Sequence, residues 1–299
     1  MHKYDITILT DQRYVDPDVI DQSIQNVIKE DTLLKEALER KGLKVHRTNW
    51  DDKLFDWSTS KYILFRTTWD YFERFSEFSI WLKEVSKESI LINSKELIHW
   101  NIDKHYLLDI KDKGIHIPAT IFLEAGENRS LDEILSAVSW SEVVLKPAVS
   151  GGAFNTYRFT REDTNRYESR FAELIADESL LLQEFQNQII SKGEVAHMVF
   201  GGVYSHSVLK KAKKGDYRVQ DDFGGTLHDY FPDDDEIQFI QKCVAACPEL
   251  PLYARVDILW DNEDIPAIGE IELIEPELWF RRNSESADLF AEAFMKMYG

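Results

Sequence analysis

Apolar and polar positions follow a strand pattern over residues 4–9 (YDITIL). The next regular pattern is helical, with Leu33, Leu34, Ala37 and Leu38 on one face and Gly42 as a stop. Strands are predicted again over 44–50 and 62–66. The spacing of Phe75, Phe78, Leu82 and Val85 predicts a helix, and residues 89–93 a closing strand. Strand and helix alternate throughout, which predicts a small parallel α/β domain over residues 1–95.

Beyond residue 95 the pattern changes. A helix is predicted over 103–113, ended by Gly114, and strands over 143–147, 155–159 and 179–185. The most legible hairpin joins 195–200 to 203–210 through Gly201-Gly202, a two-residue loop suited to a primed turn. A helix over 234–247 leads to a last strand pair, 253–260 and 266–274, joined through Asp261-Asn262-Glu263-Asp264. The expected class is α/β in front and α+β behind, with no internal repeat and no low-complexity linker.

A chain of 299 residues suits two or three closely packed subdomains, and 43% hydrophobic content gives them ample core. Acidic residues outnumber basic ones 54 to 35, a net charge of −19 that argues against a nucleic-acid groove. Any anionic ligand must be met by a local basic cluster working against that field. The start (MHKYDITILTD) lacks a charged region followed by a long apolar run, so no signal peptide is expected. Apolar runs are strand-sized, far below the roughly 20 residues of a membrane helix, so no membrane partner is expected. Cys243 and Cys247, with Ile237, Ile240 and Val244, read as the buried face of a helix. Two thiols alone make no zinc site, and a cytoplasmic, reduced setting fits them.

Candidate chemistry begins at Val143-Val144-Leu145-Lys146-Pro147, followed by Ser150-Gly151-Gly152. An apolar strand ending in lysine, then a glycine-containing loop, can bring one cation and several backbone N–H groups onto phosphates, although Ser-Gly-Gly is also an ordinary turn. In the last strand pair Arg255 and Asp257 share a face, as do Glu270 and Glu272, among apolar neighbours. If the strands pair, three carboxylates converge beside one guanidinium. Unpaired carboxylates that close repel, and an oxygen-liganded Mg²⁺ or Mn²⁺ relieves them; the alternative is a polar strand face. A basic group in an acidic chain comprises His206, Lys210, Lys211, Lys213, Lys214 and Arg218. His206 and Lys210, at even spacing, could face a nucleotide together, whereas Lys213 and Lys214 read as a solvated turn.

These pieces, in this order, resemble the ATP-grasp superfamily. The resemblance sharpens in Gly193-Glu194, in the run from Phe200 to Lys210, in Gly215-Asp216-Tyr217-Arg218-Val219-Gln220 and in Gly224-Gly225. Arg66 with Trp69-Asp70-Tyr71, Trp100-Asn101 with Asp103-Lys104, and the run from Glu270 to Pro276 extend it. The branch is that of glutathione-synthetase-like ligases, which includes the cycloserine-forming cyclo-ligases. The resemblance implies an ATP-grasp fold with a front α/β domain, a lid and linker over 96–183 and a catalytic core over 184–299.

It also implies roles. Lys104 and Lys146 contact the ATP phosphates, with Ser150, Gly151 and Gly152 folding over them. Glu184 and Phe185 form the hinge beside the adenine, and Glu194 meets the ribose. Asp257, Glu270 and Glu272 hold Mg²⁺ or Mn²⁺; a Glu at 272, where many members have Asn, matches this branch. Arg218 and Arg255, with Lys210, are the catalytic cations, and Arg66, Trp69, Asp70 and Tyr71 shape the acceptor end or pack the domain junction. The implied reaction activates a small amino-acid-like carboxylate as an acyl phosphate and releases ADP and phosphate, in a homodimer by family habit. The alternative is an ATP-binding protein of this fold without turnover; the full set Asp257, Glu270, Glu272, Arg218 and Arg255 speaks for an enzyme.

Overall fold

The computed structural model of the chain describes residues 2–219 and 224–299; Gln220 of the run quoted above lies outside them. The front sheet contains β1 (Tyr4–Thr10), β2 (Val45–Asn49), β3 (Ser60–Thr67) and β4 (Ile90–Ile92). Its order is β2-β1-β3-β4, all parallel, with α1 (Gln22–Arg40) and α2 (Phe75–Glu88) as crossovers. Asp21 caps α1 by accepting the Ile24 amide at 2.9 Å. The buried stripe of α1 includes two acids, and both have partners, as buried charges require. Glu30 accepts the Phe280 and Arg281 amides at 2.8 Å each, and Asp31 pairs with Arg47 at 2.7 Å.

The helix predicted over 103–113 forms as α4 (Tyr106–Asp112), and a separate helix, α3 (Lys95–Ile102), precedes it. Asp103 is extended and its carboxylate accepts the His105 amide at 2.9 Å, which breaks the helix and restarts it. A second sheet follows, with β5 (Thr120–Leu123), β6 (Glu142–Pro147), β7 (Tyr157–Thr160) and β8 (Leu180–Glu184) in antiparallel order β5-β8-β6-β7. It packs on α5 (Leu131–Ser136) and α6 (Thr164–Ile175) through Leu131, Ile134, Phe171 and Leu174. β7 begins at Tyr157 rather than at 155, because Asn155 takes a positive φ of 49°.

After the short α7 (Gln188–Ser191) comes the third sheet, with β9 (Glu194–Phe200), β10 (Val203–Lys211), β11 (Thr226–Tyr230), β12 (Tyr253–Trp260) and β13 (Pro266–Glu272). It is antiparallel in the order β11-β10-β9-β12-β13. Gly201 and Gly202 turn the β9–β10 hairpin at φ +55° and +81°, the left-handed pair a primed turn requires. α8 (Asp234–Ala245) precedes β12 and α9 (Ser286–Tyr298) ends the chain.

One face of this sheet packs on α3, α4 and α8 through Val199, Val256, Ile258 and Ile271, and Cys243 and Cys247 are buried free thiols in that core. On the other face Met198, Phe200 and Tyr253 share a core with Ile6, Ile8 and Leu64 of the front sheet and Phe290 of α9. The remaining part of that second face is where the charges stand.

Candidate active site

Strand register puts the charges together. Across β10, β9, β12 and β13, Lys210 lies opposite Glu194, Arg255 opposite Glu272 and Asp257 opposite Glu270. Directly opposed residues share a face, and Asp257 and Arg255 oppose Ala196 and Met198 of β9. All six charged side chains therefore stand on one face, while Val195, Val256, Ile258 and Ile271 fill the other. The register slips between Asp257 and Ile258, leaving Gly269 as a bulge in β13 beside the carboxylates.

The carboxylates are not left to repel each other. Asp257 accepts Lys210 Nζ at 3.0 Å and Arg255 Nη2 at 2.7 Å. Lys210 also pairs with Glu194, and Arg255 with Glu272. Lys104 Nζ lies 3.2 Å from Glu270 Oε1. This corrects the expectation of unpaired acids: cations from neighbouring strands and from the α3–α4 junction already neutralise them. Among the described residues no three His, Cys, Asp or Glu side chains form a preassembled metal cluster. Negative charge still remains in excess. Burial pushes the Glu272 carboxyl up to about 7, against Arg255, with Asp257 and Glu270 adding to the rise. Burial, then Glu272 and Glu270, push Glu275 up to about 8.

Two lysines lie near these acids. Lys104 also donates to the Ser150 carbonyl and lies 3.4 Å from Ser150 Oγ. Lys146, at the end of β6, has its ammonium lowered by burial, partly offset by Glu270 and lowered further by Lys104. Among the described residues no acid lies within ion-pair distance of Lys146. Beyond it, Gly151 approaches the front domain so closely that a Cβ there would lie 2.9 Å from Phe72 Cε1.

At the hinge, the expected backbone contacts are largely taken. The Glu184 amide bonds the Ala119 carbonyl and the Phe185 amide the Glu142 carbonyl, each at 2.9 Å. The Phe185 carbonyl accepts Asn262 Nδ2 at 3.0 Å, and the Glu184 carbonyl accepts Gln186 Nε2 at 2.9 Å. β8 thus keeps pairing to its end. Phe185 carries the Arg158 guanidinium 3.6 Å over its ring and meets the Tyr217 ring edge-on at 5.7 Å. Arg158 does not stand out in the sequence, and Tyr217, inside the run from 215 to 220 quoted above, is given no role there.

Other expected site residues are engaged elsewhere. His206 is buried, with Nε2 3.0 Å from the Leu278 carbonyl, so it secures the 278–280 segment instead of fronting a nucleotide beside Lys210. Burial lowers its pKa to about 4. Arg218 forms a two-point pair with Asp216, at 2.8 and 3.1 Å. Asp70 receives Trp50 Nε1 at 2.7 Å and Arg74 Nη1 at 2.9 Å, so both its oxygens serve the front domain. Arg66 and Trp69 reach across the junction to backbone: Arg66 Nη1 donates to the Pro276 carbonyl at 2.7 Å and Trp69 Nε1 to the Glu275 carbonyl at 2.9 Å. Tyr71 is buried, and burial, then the charges of Glu275, Glu270 and Glu272, raise its hydroxyl well above its usual value.

A parallel front sheet, an antiparallel lid sheet ending in lysine and a core sheet with one charged face make up the ATP-grasp fold. The chain is an ATP-grasp ligase. Its homologue is cycloserine synthetase: residues 6–93 match the family described as D-cycloserine synthetase DcsG, N-terminal domain. The cycloserine biosynthesis protein DcsG of Streptomyces lavendulae is 28% identical over 278 residues, covering 87% of this chain and 91% of that protein. The crystal structure of D-cycloserine synthetase DcsG superposes with a TM-score of 0.85 at 26% identity, covering 97% of this chain and 98% of that one. The D-alanine–D-alanine ligase of Bacillus anthracis complexed with ATP shares the fold, with a TM-score of 0.64 at 13% identity over 98% and 96% of the two chains. Among the described residues, no helix is long and apolar enough to cross a membrane.

Proposed function

We propose that the chain is an ATP- and Mg²⁺-dependent cyclo-ligase. It phosphorylates the carboxylate of a small amino-acid-like substrate and closes a ring through a nitrogen of the same molecule. The observation that carries this reading is Lys146, a half-buried cation with no acidic partner within ion-pair distance among the described residues, set beside Lys104 above the carboxylate face. An ammonium placed there costs free energy unless an anion arrives, and a nucleotide polyphosphate is such an anion.

The oxygen-only donors Asp257, Glu270 and Glu272, with charge in excess of their cations, fit a divalent ion. Mg²⁺ held there would offset the phosphate charge that the lysines leave unneutralised. Lys104 and Lys146 hold the phosphates, and the 150–155 loop shields them from water. Arg255 is held flat by Asp257 and Glu272 and lies 5.3 Å over the Trp279 ring. It is the group that steadies negative charge on the acyl oxygen. Phosphoryl transfer makes an acyl phosphate and ADP. The nitrogen lone pair then attacks the acyl carbon, the carbon–oxygen bond to phosphate breaks, and the nitrogen gives up a proton.

D-cycloserine is a ring closed by one carbon–nitrogen bond between a carboxyl carbon and an aminooxy nitrogen, so its ring-opened form, O-amino-D-serine, is the first substrate to try. ADP release should depend on it alone, with the cyclic product seen by mass. ADP release that needs a second amino acid and yields a linear product would replace cyclisation by intermolecular ligation.

A further inference from the structure

The groups proposed to meet ATP are divided between two sheets. Lys146 stands on β6 of the second sheet, and Asp257, Glu270 and Glu272 stand on β12 and β13 of the third. How the two sheets sit on each other therefore decides how well the site is formed. The second sheet is built from one continuous stretch of chain, so two segments join it to the rest: 113–119, entering β5, and 185–187, leaving β8. β5 and β8 pair antiparallel with Thr120 opposite Gln183, and the Glu184 amide bonds the Ala119 carbonyl at 2.9 Å. The two crossings therefore run side by side.

Both are held by one short turn, residues 261–264 between β12 and β13. Asp261 Oδ1 accepts the Glu263 and Ile265 amides at 2.9 and 2.8 Å, so one carboxylate oxygen builds the turn itself. Its other oxygen lies 2.7 Å from His116 Nε2 on the entering segment. The Ile268 amide of β13 donates to the His116 carbonyl at 3.0 Å. Asn262 holds the leaving segment at three points. Its Nδ2 donates to the Phe185 carbonyl at 3.0 Å, its Oδ1 accepts the Asn187 amide at 2.9 Å, and its own amide donates to Gln186 Oε1 at 2.8 Å. A backbone acceptor on one side and a backbone donor on the other fix which end of the Asn262 side chain is nitrogen and which is oxygen.

We propose that Asn262 is a positioning residue for ATP: the 261–264 turn is the pivot that sets the second sheet over the carboxylate strands, and the Asn262 amide fixes the setting through the Phe185 carbonyl. The assignment rests on the reading above, in which Lys146 and the three carboxylates meet one nucleotide. The hairpin that carries those carboxylates also carries the pivot, so the two halves of the site share one rigid element. A crossing segment absorbs changes of backbone angle, and a few bonds to it decide which angles are populated. Without the donor at Phe185 the second sheet samples settings in which Lys146 does not reach the phosphates. Apparent affinity for the nucleotide then falls with the fraction of chains in the competent setting.

The test uses the full chain with AMP-PNP and Mg²⁺ as the probe, read by calorimetric affinity and hydrogen exchange, with thermal unfolding as the folding control. Asn262→Ala removes both side-chain ties. Asn262→Asp keeps an acceptor for the Asn187 amide and loses only the donor to the Phe185 carbonyl. Both variants should bind AMP-PNP about tenfold more weakly, the loss expected when the competent setting falls to about a tenth of the population. In Asn262→Ala exchange should quicken at 185–187 while β6 and β8 stay as protected as in wild type, which separates a freed crossing from an unfolded sheet. Wild-type affinity in Asn262→Asp would show that the Phe185 tie sets nothing and would overturn the proposal. Quickened exchange across β6 and β8 would make Asn262 a stabiliser of the sheet and overturn it equally. A wild type that fails to bind AMP-PNP would remove the ATP reading itself and this role with it, whereas variants that bind as wild type does remove this role alone.

Discussion

Lys104 and Glu270 meet at 3.2 Å, and the same ammonium donates to the Ser150 carbonyl. One side chain from the α3–α4 junction thus ties the carboxylate strand of the core sheet to the loop of the lid sheet. A lysine so placed does two things at once: it neutralises Glu270 and sets the height of the loop above it. Lys146, by contrast, has no acidic partner within ion-pair distance among the described residues.

That contrast gives the first prediction. Lys146→Met should weaken ATP binding about ten- to a hundredfold, a loss of roughly 1.4–2.8 kcal/mol. It should leave the melting temperature unchanged or raise it, because an ammonium without a protein partner stabilises nothing in the folded chain. Calorimetry and thermal unfolding on one variant check both halves. An unchanged ATP affinity would place the phosphates elsewhere.

Glu270→Gln separates charge from shape. The change is nearly isosteric, so the fold should persist while ADP release falls at least about a hundredfold, because one anionic oxygen donor of the proposed divalent-ion site is lost. Chelation of divalent ions should abolish wild-type ADP release, and added Mg²⁺ should restore it. Full turnover in excess chelator would remove the three-carboxylate assignment.

The charged face was legible because β12 and β13 are otherwise apolar, so Arg255, Asp257, Glu270 and Glu272 stand out at a period of two. Glu275 lies past the end of β13, where Leu273 and Ile274 break that period, and only the fold shows what surrounds it. Arg66 reads as a site residue only through the resemblance; its contact, the Pro276 carbonyl 210 residues away, is one that no local pattern encodes. β11 escaped notice because TLHDY is a mostly exposed edge strand with no apolar alternation. The 103–113 helix was overextended because the periodicity runs on through Asp103, whose side chain takes the amide that a continuous helix would use.

Acid should destabilise the chain through its buried histidines. Burial lowers the pKa of His206 to about 4 and that of His197 to about 3, whereas each returns to about 6.5 on unfolding. Between these values the unfolded chain holds more protons, so this contribution is complete above about pH 6.5 and is lost as pH falls toward 4. Glu30 and Asp31, raised by burial, act in the opposite sense, so the single variant isolates the histidine. His206→Gln keeps a donor for the Leu278 carbonyl. Its stability should fall less steeply from pH 6.5 to 4.5, by up to about 1.4 kcal/mol per pH unit. Urea unfolding at four pH values measures both slopes, and parallel slopes would mean His206 is protonated in the fold.

The last prediction concerns the 150–155 loop, proposed above to shield the phosphates. Phe154 and Phe72 lie 5.7 Å apart, ring to ring, and Gly151 has Phe72 against it where a side chain would start. The loop therefore rests on the front domain, and its distance from Lys104 and Lys146 is set by that contact. Gly151→Ala puts a methyl 2.9 Å from a ring carbon, closer than real Cβ contacts come, so loop or ring must shift. Since Lys104 holds the neighbouring Ser150 carbonyl, the shift should reach the phosphates. The Michaelis constant for ATP should rise several-fold, and the melting temperature should change little, because the loop contributes few buried apolar contacts. Phe72→Leu, which makes room, should restore the ATP constant in the double variant while having a small effect alone. Additive losses in that pair would show that the glycine is needed for loop conformation, not for clearance from Phe72.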